Sequence, residues 1–263
     1  MSAINPHEDS QSVGNQPRPT LSLVIPAYNE ADPDRLPASL MKITAFVDAQ
    51  SFPIEVIIVN NNSSDDTLSI AEAAAAQHDY IHVVTEMTQG KGAAVRTGML
   101  RANGDYLFIC DADLSMPVEE VLKFIPPRIN GDYAIAIASR EAPASQRIGE
   151  PELRHIMGRV FNWIVRIIAV RGLDDTQCGF KCFRREVADE IFPMQTIDGW
   201  AFDVELLFIA QQRGYKIVEV PITWYYKAHS KINPLRDSID MVIETLRIRI
   251  NGWRGLYAEK EKT

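Results

Sequence analysis

The chain has few cysteines and no long apolar segment. Its three cysteines, Cys110, Cys178 and Cys182, are too few for a disulfide-rich secreted scaffold, and their odd number favours a reducing compartment. Cys178 and Cys182 have no second Cys or His pair at zinc spacing, so we expect plain buried thiols. No window reaches the roughly 18 charge-free apolar residues that a membrane span requires.

Basic charge is also scarce. The chain has 27 basic and 35 acidic residues, and its net charge of −8 offers a polyanion no general binding surface. Nucleic acid is therefore not an expected partner. A hydrophobic content of 46% over 263 residues allows one large core. Residues 1–19 are polar and contain proline, which predicts a disordered arm before one domain over 20–255 and a charged tail over 256–263.

The glycine pattern of a dinucleotide-binding protein is missing. That fingerprint is GxGxxG in the first strand-to-helix turn, whereas the turn here reads PAYNE and contains no glycine. Gly90 and Gly92 follow the third predicted strand without a third glycine and form at most a weak phosphate cradle. The sequence argues against NAD(P) binding.

Four short apolar runs are present, and each ends in a polar loop. They cover residues 21–25, 56–59, 81–84 and 106–110, and helical segments separate them. This alternation predicts an α/β fold with a mostly parallel central sheet, in which ligands gather at the carboxyl ends of the strands. All four polar loops are expected at that edge.

The fourth run leads into the sequence DADLSMP. Asp111 and Asp113 place two hard oxygen ligands at a strand end, as Mg²⁺ or Mn²⁺ prefers when phosphate oxygens complete its coordination. A single Asp-x-Asp step also occurs often in solvated turns. Its meaning depends on the motifs around it.

Those motifs resemble the GT-A glycosyltransferases of family 2. PAYNE, NNNSSDDT, GKGAAVRTG and DADLSMP occur in the family's order, followed by DTQCGFKCF, WAFDVELLFIA and HSKINPLRDS. The match covers residues 20–255 and looks most like the dolichyl-phosphate glucosyltransferases among the polyprenyl-phosphate mannosyl and glucosyl transferases. It implies the GT-A fold, with helices around a mostly parallel sheet and amphipathic helices near the C-terminus.

The resemblance also implies a donor site with a divalent metal. A loop holds the nucleoside, Asp113 is the main ligand of Mg²⁺ or Mn²⁺ with help from Asp111, and Lys91 and Lys231 face the diphosphate. On the residues alone, Tyr28 is better explained as a turn aromatic that packs on its own loop and Lys91 as a solvated lysine. The implied donor residues are Pro26, Ala27, Tyr28, Glu30, Asn60, Asn61, Lys91, Asp111, Ala112, Asp113 and Lys231.

The acceptor site is implied at three further positions. Arg140 and Arg154 match positions that the family uses for the acceptor phosphate, and Asp203 matches its late catalytic acidic residue. Glu205 lies two positions on. If WAFDVE opens a helix, the two carboxylates point in different directions and only Asp203 serves the site. A phosphate nucleophile needs no strong base, so alignment and electrostatics are the expected sources of catalysis.

One departure from the family bears on the nucleotide. The family usually has two aspartates where this chain has Asn60 and Asn61. A carboxylate only accepts hydrogen bonds, whereas an amide donates and accepts and so complements the edge of uracil. The paired donors of guanine suit a carboxylate better. We therefore predict UDP-sugar, with UDP-glucose favoured over GDP-mannose.

Two segments predict amphipathic helices. Over residues 154–171, His155, Arg159, Asn162 and Arg166 fall on one stripe of an otherwise apolar helix. Such a helix is either a core helix with a wet edge or an interfacial helix whose arginines meet lipid phosphates. The resemblance favours the interface. Residues 235–250 form a second segment that either flanks the same membrane or simply packs.

Together these observations predict an inverting hexosyltransferase that is peripheral on the cytoplasmic face of a membrane. Its partners would be a nucleotide sugar and a polyprenyl or dolichyl phosphate. Two alternatives remain: a related enzyme that glycosylates a soluble saccharide or metabolite, and a non-catalytic protein that binds nucleotide sugars. The oligomeric state is not readable from the sequence.

Overall fold

The structure is a computed structural model that describes residues 18–227 and 234–258, without the side chains of Leu153 and 234–237. Three sequence predictions therefore fall wholly or largely outside the described residues. They are the N-terminal arm, Lys231 and the charged tail.

A seven-stranded sheet forms the centre, in the order β3-β2-β1-β4-β7-β5-β8. The alternation of strands and helices predicted this mostly parallel sheet, and the structure confirms it. Only β7 runs antiparallel to its neighbours β4 and β5. A separate parallel pair joins β6 and β9. The strands are β1 Leu21–Ala27, β2 Ile54–Asn60, β3 Ile81–Thr85, β4 Tyr106–Ile109, β5 Ile135–Ser139, β6 Gln146–Ile148, β7 Lys181–Arg184, β8 Ile217–Pro221 and β9 Thr223–Tyr225.

Helices cover both faces of the sheet. Leu36, Ile43 and Phe46 of α1 pack into one core, and Val95 and Met99 of α3 pack into the other. Strands buried on both faces read as continuous apolar runs, which is why their positions were predictable. The helices are α1 Leu36–Asp48, α2 Thr67–Ala75, α3 Lys91–Arg101, α4 Glu152–Ile168, α5 Arg185–Ile191, α6 Phe202–Gln212 and α7 Pro234–Trp253.

Strand β1 extends past the proline at which the sequence predicted its end. Pro26 lies opposite Val59 of β2, whereas the pairing of β1 with β4 ends at Val24 and Ile109. The missing N–H of Pro26 therefore interrupts no ladder on the β4 side. The strand continues to Ala27 and delivers the PAYNE loop to the sheet edge.

The two predicted amphipathic helices are α4 and α7, which pack against each other. Each carries exposed apolar side chains at helical spacing. Within residues 18–227 and 234–258, neither these nor any other helix combines the length and apolarity needed to cross a bilayer. We call the exposed side chains of both helices the apolar face. They are Ile156, Val160, Trp163 and Ile167 of α4 and Ile239, Ile243, Leu246, Ile250 and Trp253 of α7.

Candidate active site

A cavity of about 900 Å³ opens at the carboxyl ends of the central strands. It brings together predicted residues that lie far apart in the sequence. Asn60 is buried but does not line this cavity. The predicted residues that do line it are Pro26, Ala27, Tyr28, Glu30, Asn61, Lys91, Asp111, Ala112, Asp113, Arg140, Arg154 and Asp203.

The two aspartates of the DADLSMP loop differ in their surroundings. The Asp111 Oδ1 atom lies 2.6 Å from the Lys91 ammonium, and its carboxylate sits against Gly179, where a side chain would overlap it. Asp113 accepts hydrogen bonds from the backbone N–H and hydroxyl of Ser115. Burial and the nearby charge of Asp111 raise the pKa of Asp113, against these hydrogen bonds and the charge of Arg35.

The donor set fits a divalent metal that is held partly by its substrate. Two adjacent carboxylates are present, and their repulsion would be relieved by a bound cation. Among the described residues no group of three or more His, Cys, Asp or Glu surrounds a common point. Asp111 and Asp113 would therefore hold Mg²⁺ or Mn²⁺ with the remaining ligands from phosphate and water.

Asn61 holds the loop that opens α3. We call residues 86–90 the donor loop. The Asn61 amide donates to the carbonyls of Glu86 and Thr88, and its oxygen accepts the Gly90 N–H. Gly90 has φ +139°, and a side chain there would overlap the carbonyl of Asp198. Direct reading of the base by Asn61 would require these bonds to break, so that role stays a prediction.

Contacts of Glu30 with Arg35 and Thr67 hold the predicted nucleoside loop in place. Glu30 forms a two-point ion pair with Arg35, and its backbone N–H donates to the Thr67 hydroxyl at 2.7 Å. Tyr28 remains 42% exposed at the cavity wall. An exposed aromatic ring on a rigid loop can stack on the base of a nucleotide. This role of Tyr28 stays a prediction.

The predicted acceptor arginines lie at the other end of the cavity. Arg140 forms a two-point ion pair with Asp175, at 2.7 and 2.9 Å, and its guanidinium covers the Trp224 ring at 5.3 Å. Arg154 covers Tyr226 at 5.0 Å. These tryptophan and tyrosine rings, which the sequence did not single out, fix the planes of both arginines. Their role toward a phosphate stays a prediction.

The basic stripe of α4 borders the cavity, which Arg159, Asn162 and Arg166 line. Arg159 and His155 contact Glu141, at 2.8 and 3.3 Å, and Arg166 contacts Asp174 at 2.9 Å. Arg159 and Arg166 are nevertheless 63% and 42% exposed, so the contact of this stripe with lipid phosphates stays a prediction. Arg147, which the sequence analysis missed, also pairs with Glu141.

Asp203 and Glu205 point in different directions from the first turn of α6, as predicted. Asp203 lines the cavity. Glu205 is fully buried and accepts hydrogen bonds from the Thr196 and Ile197 backbone and from the Tyr257 hydroxyl. Glu205 therefore ties the end of the chain to the loop before α6.

The three cysteines are free and buried, as expected. Burial raises the pKa of Cys178 to about 12 against the nearby charge of Arg140. All three side chains belong to the core, and Cys178 also borders the cavity.

Comparisons with known proteins agree with this geometry. The model of the family "Glycosyl transferase family 2" matches residues 22–192. A dolichyl-phosphate beta-glucosyltransferase of Drosophila melanogaster is 36% identical over 270 residues, covering 95% of this chain and 82% of that protein. The enzyme of the same name from Homo sapiens is 32% identical over 272 residues, covering 98% and 83%.

Solved structures show the same fold at lower identity. Glucosyl-3-phosphoglycerate synthase from Mycobacterium tuberculosis, solved with UDP, matches with a TM-score of 0.61 and 18% identity over 93% of this chain and 82% of that one. Mannosyl-3-phosphoglycerate synthase from Rubrobacter xylanophilus matches with a TM-score of 0.63 and 18% identity, over 93% and 77%. The chain belongs to glycosyl transferase family 2 and has the GT-A fold.

Proposed function

We propose that this protein transfers glucose from UDP-glucose to a polyprenyl or dolichyl phosphate at a membrane surface. The names of its relatives support glucose as the transferred sugar and dolichyl phosphate as the acceptor. One observation in this chain favours a lipid acceptor. The cavity that begins at Asp111 and Asp113 reaches Trp163, which also belongs to the exposed apolar face.

The donor end of the cavity suits a nucleotide diphosphate. Asp111 and Asp113 would hold Mg²⁺ or Mn²⁺, a pairing that is supported by a related fold solved with Mn²⁺ and UDP-glucose. The metal supplies Lewis-acid stabilisation of the diphosphate leaving group. The Lys91 ammonium lies 2.6 Å from Asp111 and would add a positive charge beside the diphosphate oxygens.

The reaction requires one displacement. An oxygen of the acceptor phosphate forms a bond to C1 of glucose from the side opposite UDP, the bond from C1 to the UDP oxygen breaks, and UDP leaves with the bonding electrons. Inversion at C1 follows. A phosphate monoester loses its second proton near pH 6 and is then nucleophilic without a base. Where the acceptor binds with that proton still present, Asp203 is placed to accept it.

The apolar face supplies the membrane contact. Trp163 and Trp253 are 63% and 74% exposed, and tryptophan favours the boundary between lipid headgroups and acyl chains. Docking through this face would bring a phosphate at the membrane surface to the acceptor end of the cavity. Free thiols persist in a reducing compartment, so we place the reaction on the cytoplasmic side of the membrane.

Product formation from a panel of donors and acceptors tests the proposal. Purified protein with Mn²⁺ or Mg²⁺ receives UDP-glucose or GDP-mannose, and either a polyprenyl phosphate in vesicles or 3-phosphoglycerate. We expect a glucosylated lipid phosphate from UDP-glucose and little product from the other pairings. Full turnover with a lipid-free acceptor would select the related enzyme class, and nucleotide binding without turnover would select a binding protein.

A further inference from the structure

Lys181 is a fully buried lysine in the interior of the central sheet. It lies on β7 between β4 and β5, opposite Ile109 on one side and Ile137 on the other. Its side chain has no exposed surface. Removing an ammonium group from water is very costly, whereas a leucine or methionine would fill this place without that cost. A charge at this position calls for a reason other than packing.

The ammonium of Lys181 points toward the active site. Its Nζ atom lies 2.8 Å from Oδ1 of Asp203 and donates a hydrogen bond to the Cys178 carbonyl at 2.5 Å. Asp203 Oδ1 accepts no hydrogen bond from the described residues, so the Lys181 ammonium is its ion-pair partner there. Lys181 forms no second ion pair within them. The buried charge therefore serves Asp203.

Asp203 is surrounded by charges of both signs. Burial is the largest effect and leaves the pKa of Asp203 above its usual value; the charges of Lys181 and then Lys91 act to lower it, and the charge of Asp111 adds to the rise. The charge of Lys91 is not available to Asp203 alone. Its ammonium contacts Asp111 at 2.6 Å and lies 5.7 Å from the centre of the Trp200 ring. A diphosphate at the site would compete for Lys91. Lys181 lies beneath the site, where no substrate reaches it.

We propose that Lys181 is a positioning residue for glucosyl transfer, which keeps the Asp203 carboxylate ionised and directed at the acceptor phosphate. This inference rests on the proposed function. It explains why the sheet retains an ammonium group beside Ile109 and Ile137. An ionised Asp203 can accept the acceptor's last proton, whereas a protonated one cannot.

The alternative is a purely structural ion pair, and the pH dependence of turnover separates the two. We would compare Lys181→Met, Lys181→Gln, Asp203→Asn and the double variant Lys181→Met with Asp203→Asn. Lys42→Met removes an exposed lysine of α1 and is the matched control. Turnover with UDP-glucose and a polyprenyl phosphate is measured across pH, together with thermal unfolding and the KM for UDP-glucose.

We expect Lys181→Met to move the acid limb of kcat upward by about 1 to 3 pH units, as loss of a close opposite charge does. The KM for UDP-glucose should stay unchanged. Adding Lys181→Met to Asp203→Asn should lower kcat no further, because Lys181 acts through Asp203. An unshifted acid limb, or a further loss in the double variant, would overturn the inference.

A second measurement covers the case in which Lys181→Met alone fails to fold. Carboxyl ¹³C spectra of the wild-type protein are compared with those of the double variant, in which both buried charges are absent, so the missing resonance identifies Asp203. We expect it to be ionised across the pH range of activity, and a protonated Asp203 in that range would refute the role. A wild-type protein that transfers no glucose would instead refute the proposed function.

Discussion

Asp175 provides a direct test of how the acceptor end of the cavity is built. It accepts hydrogen bonds from the Arg140 guanidinium and from the backbone N–H groups of Arg140 and Cys178. Burial alone would raise the pKa of Asp175, but the charge and hydrogen bonds of Arg140 lower it from 3.8 to about 2. A lowering of this size corresponds to about 2 kcal/mol of stability.

The sign of this contribution follows from the direction of the shift. Because the folded pKa of Asp175 lies below the unfolded value, the stability is fully present above 3.8 and is lost as the pH falls toward about 2. Asp175→Asn removes it and leaves Arg140 without its buried counter-charge. We expect a loss of about 2 to 5 kcal/mol at neutral pH, and a smaller difference from wild type below pH 3.8.

Urea unfolding of two neighbouring variants measures the effect. Asp174→Asn is the matched control, because Asp174 is 58% exposed and its partner Arg166 is 42% exposed. Exposed pairs contribute about 1 kcal/mol or less. If Asp175→Asn were no more destabilising than Asp174→Asn, the argument that this buried pair fixes Arg140 would be wrong.

Three further outcomes are expected. Asp113→Ala should fold normally and lose metal-dependent turnover by about a hundredfold or more, and wild-type activity that survives EDTA would remove the metal from the account. Asn61→Asp cannot donate to the donor loop, so calorimetry should show UDP-glucose binding weakened by about 1 to 3 kcal/mol; an unchanged affinity would contradict this. Replacing Trp163 and Trp253 by serine should reduce co-sedimentation with vesicles and turnover of the lipid acceptor, with UDP-glucose binding intact, whereas Met41→Ser, at an equally exposed position of α1, should change neither.

The sequence predicted the sheet well because burial on both faces leaves a simple signature. Strands β1, β2 and β4 are largely apolar and buried, whereas β3 is partly exposed and contains His82; the observed ends of all four lie close to the predicted ones. Parallel topology then places their polar loops at one edge, which is why Asp113 and Lys91 share a cavity. Among these four strands, the end of β1 was predicted too early, at Pro26. Whether a strand can continue through a proline depends on where the neighbouring strand ends, which the local sequence does not show.

The sequence did not reveal Lys181. In DTQCGFKCF a lysine between cysteine and phenylalanine reads as an ordinary strand residue, and its burial depends on β7 inserting antiparallel between β4 and β5. Its partner Asp203 comes from α6, which no local pattern connects to β7. Long-range strand order decides such contacts, and periodicity carries no information about it.

Helical periodicity identified the stripe of α4 but not the direction in which it faces. His155, Arg159 and Arg166 do share one side of the helix, as predicted. That side meets Glu141 and Asp174, and both acidic partners lie on loops whose positions the helix sequence does not encode. The apolar face is where we propose the membrane contact, with vesicle binding that depends only weakly on salt, and the contact of the arginine stripe with lipid phosphates stays a prediction.

Analysis of the glucosylated product tests the central claim most directly. Labelled UDP-glucose is incubated with the purified protein, divalent metal and vesicles that contain a polyprenyl phosphate, and the organic-phase product is examined for its anomeric linkage. The account predicts a metal-dependent β-linked glucosyl phosphate lipid. Release of free glucose alone, an α-linked product, or equal transfer to a soluble phosphorylated acceptor would contradict it.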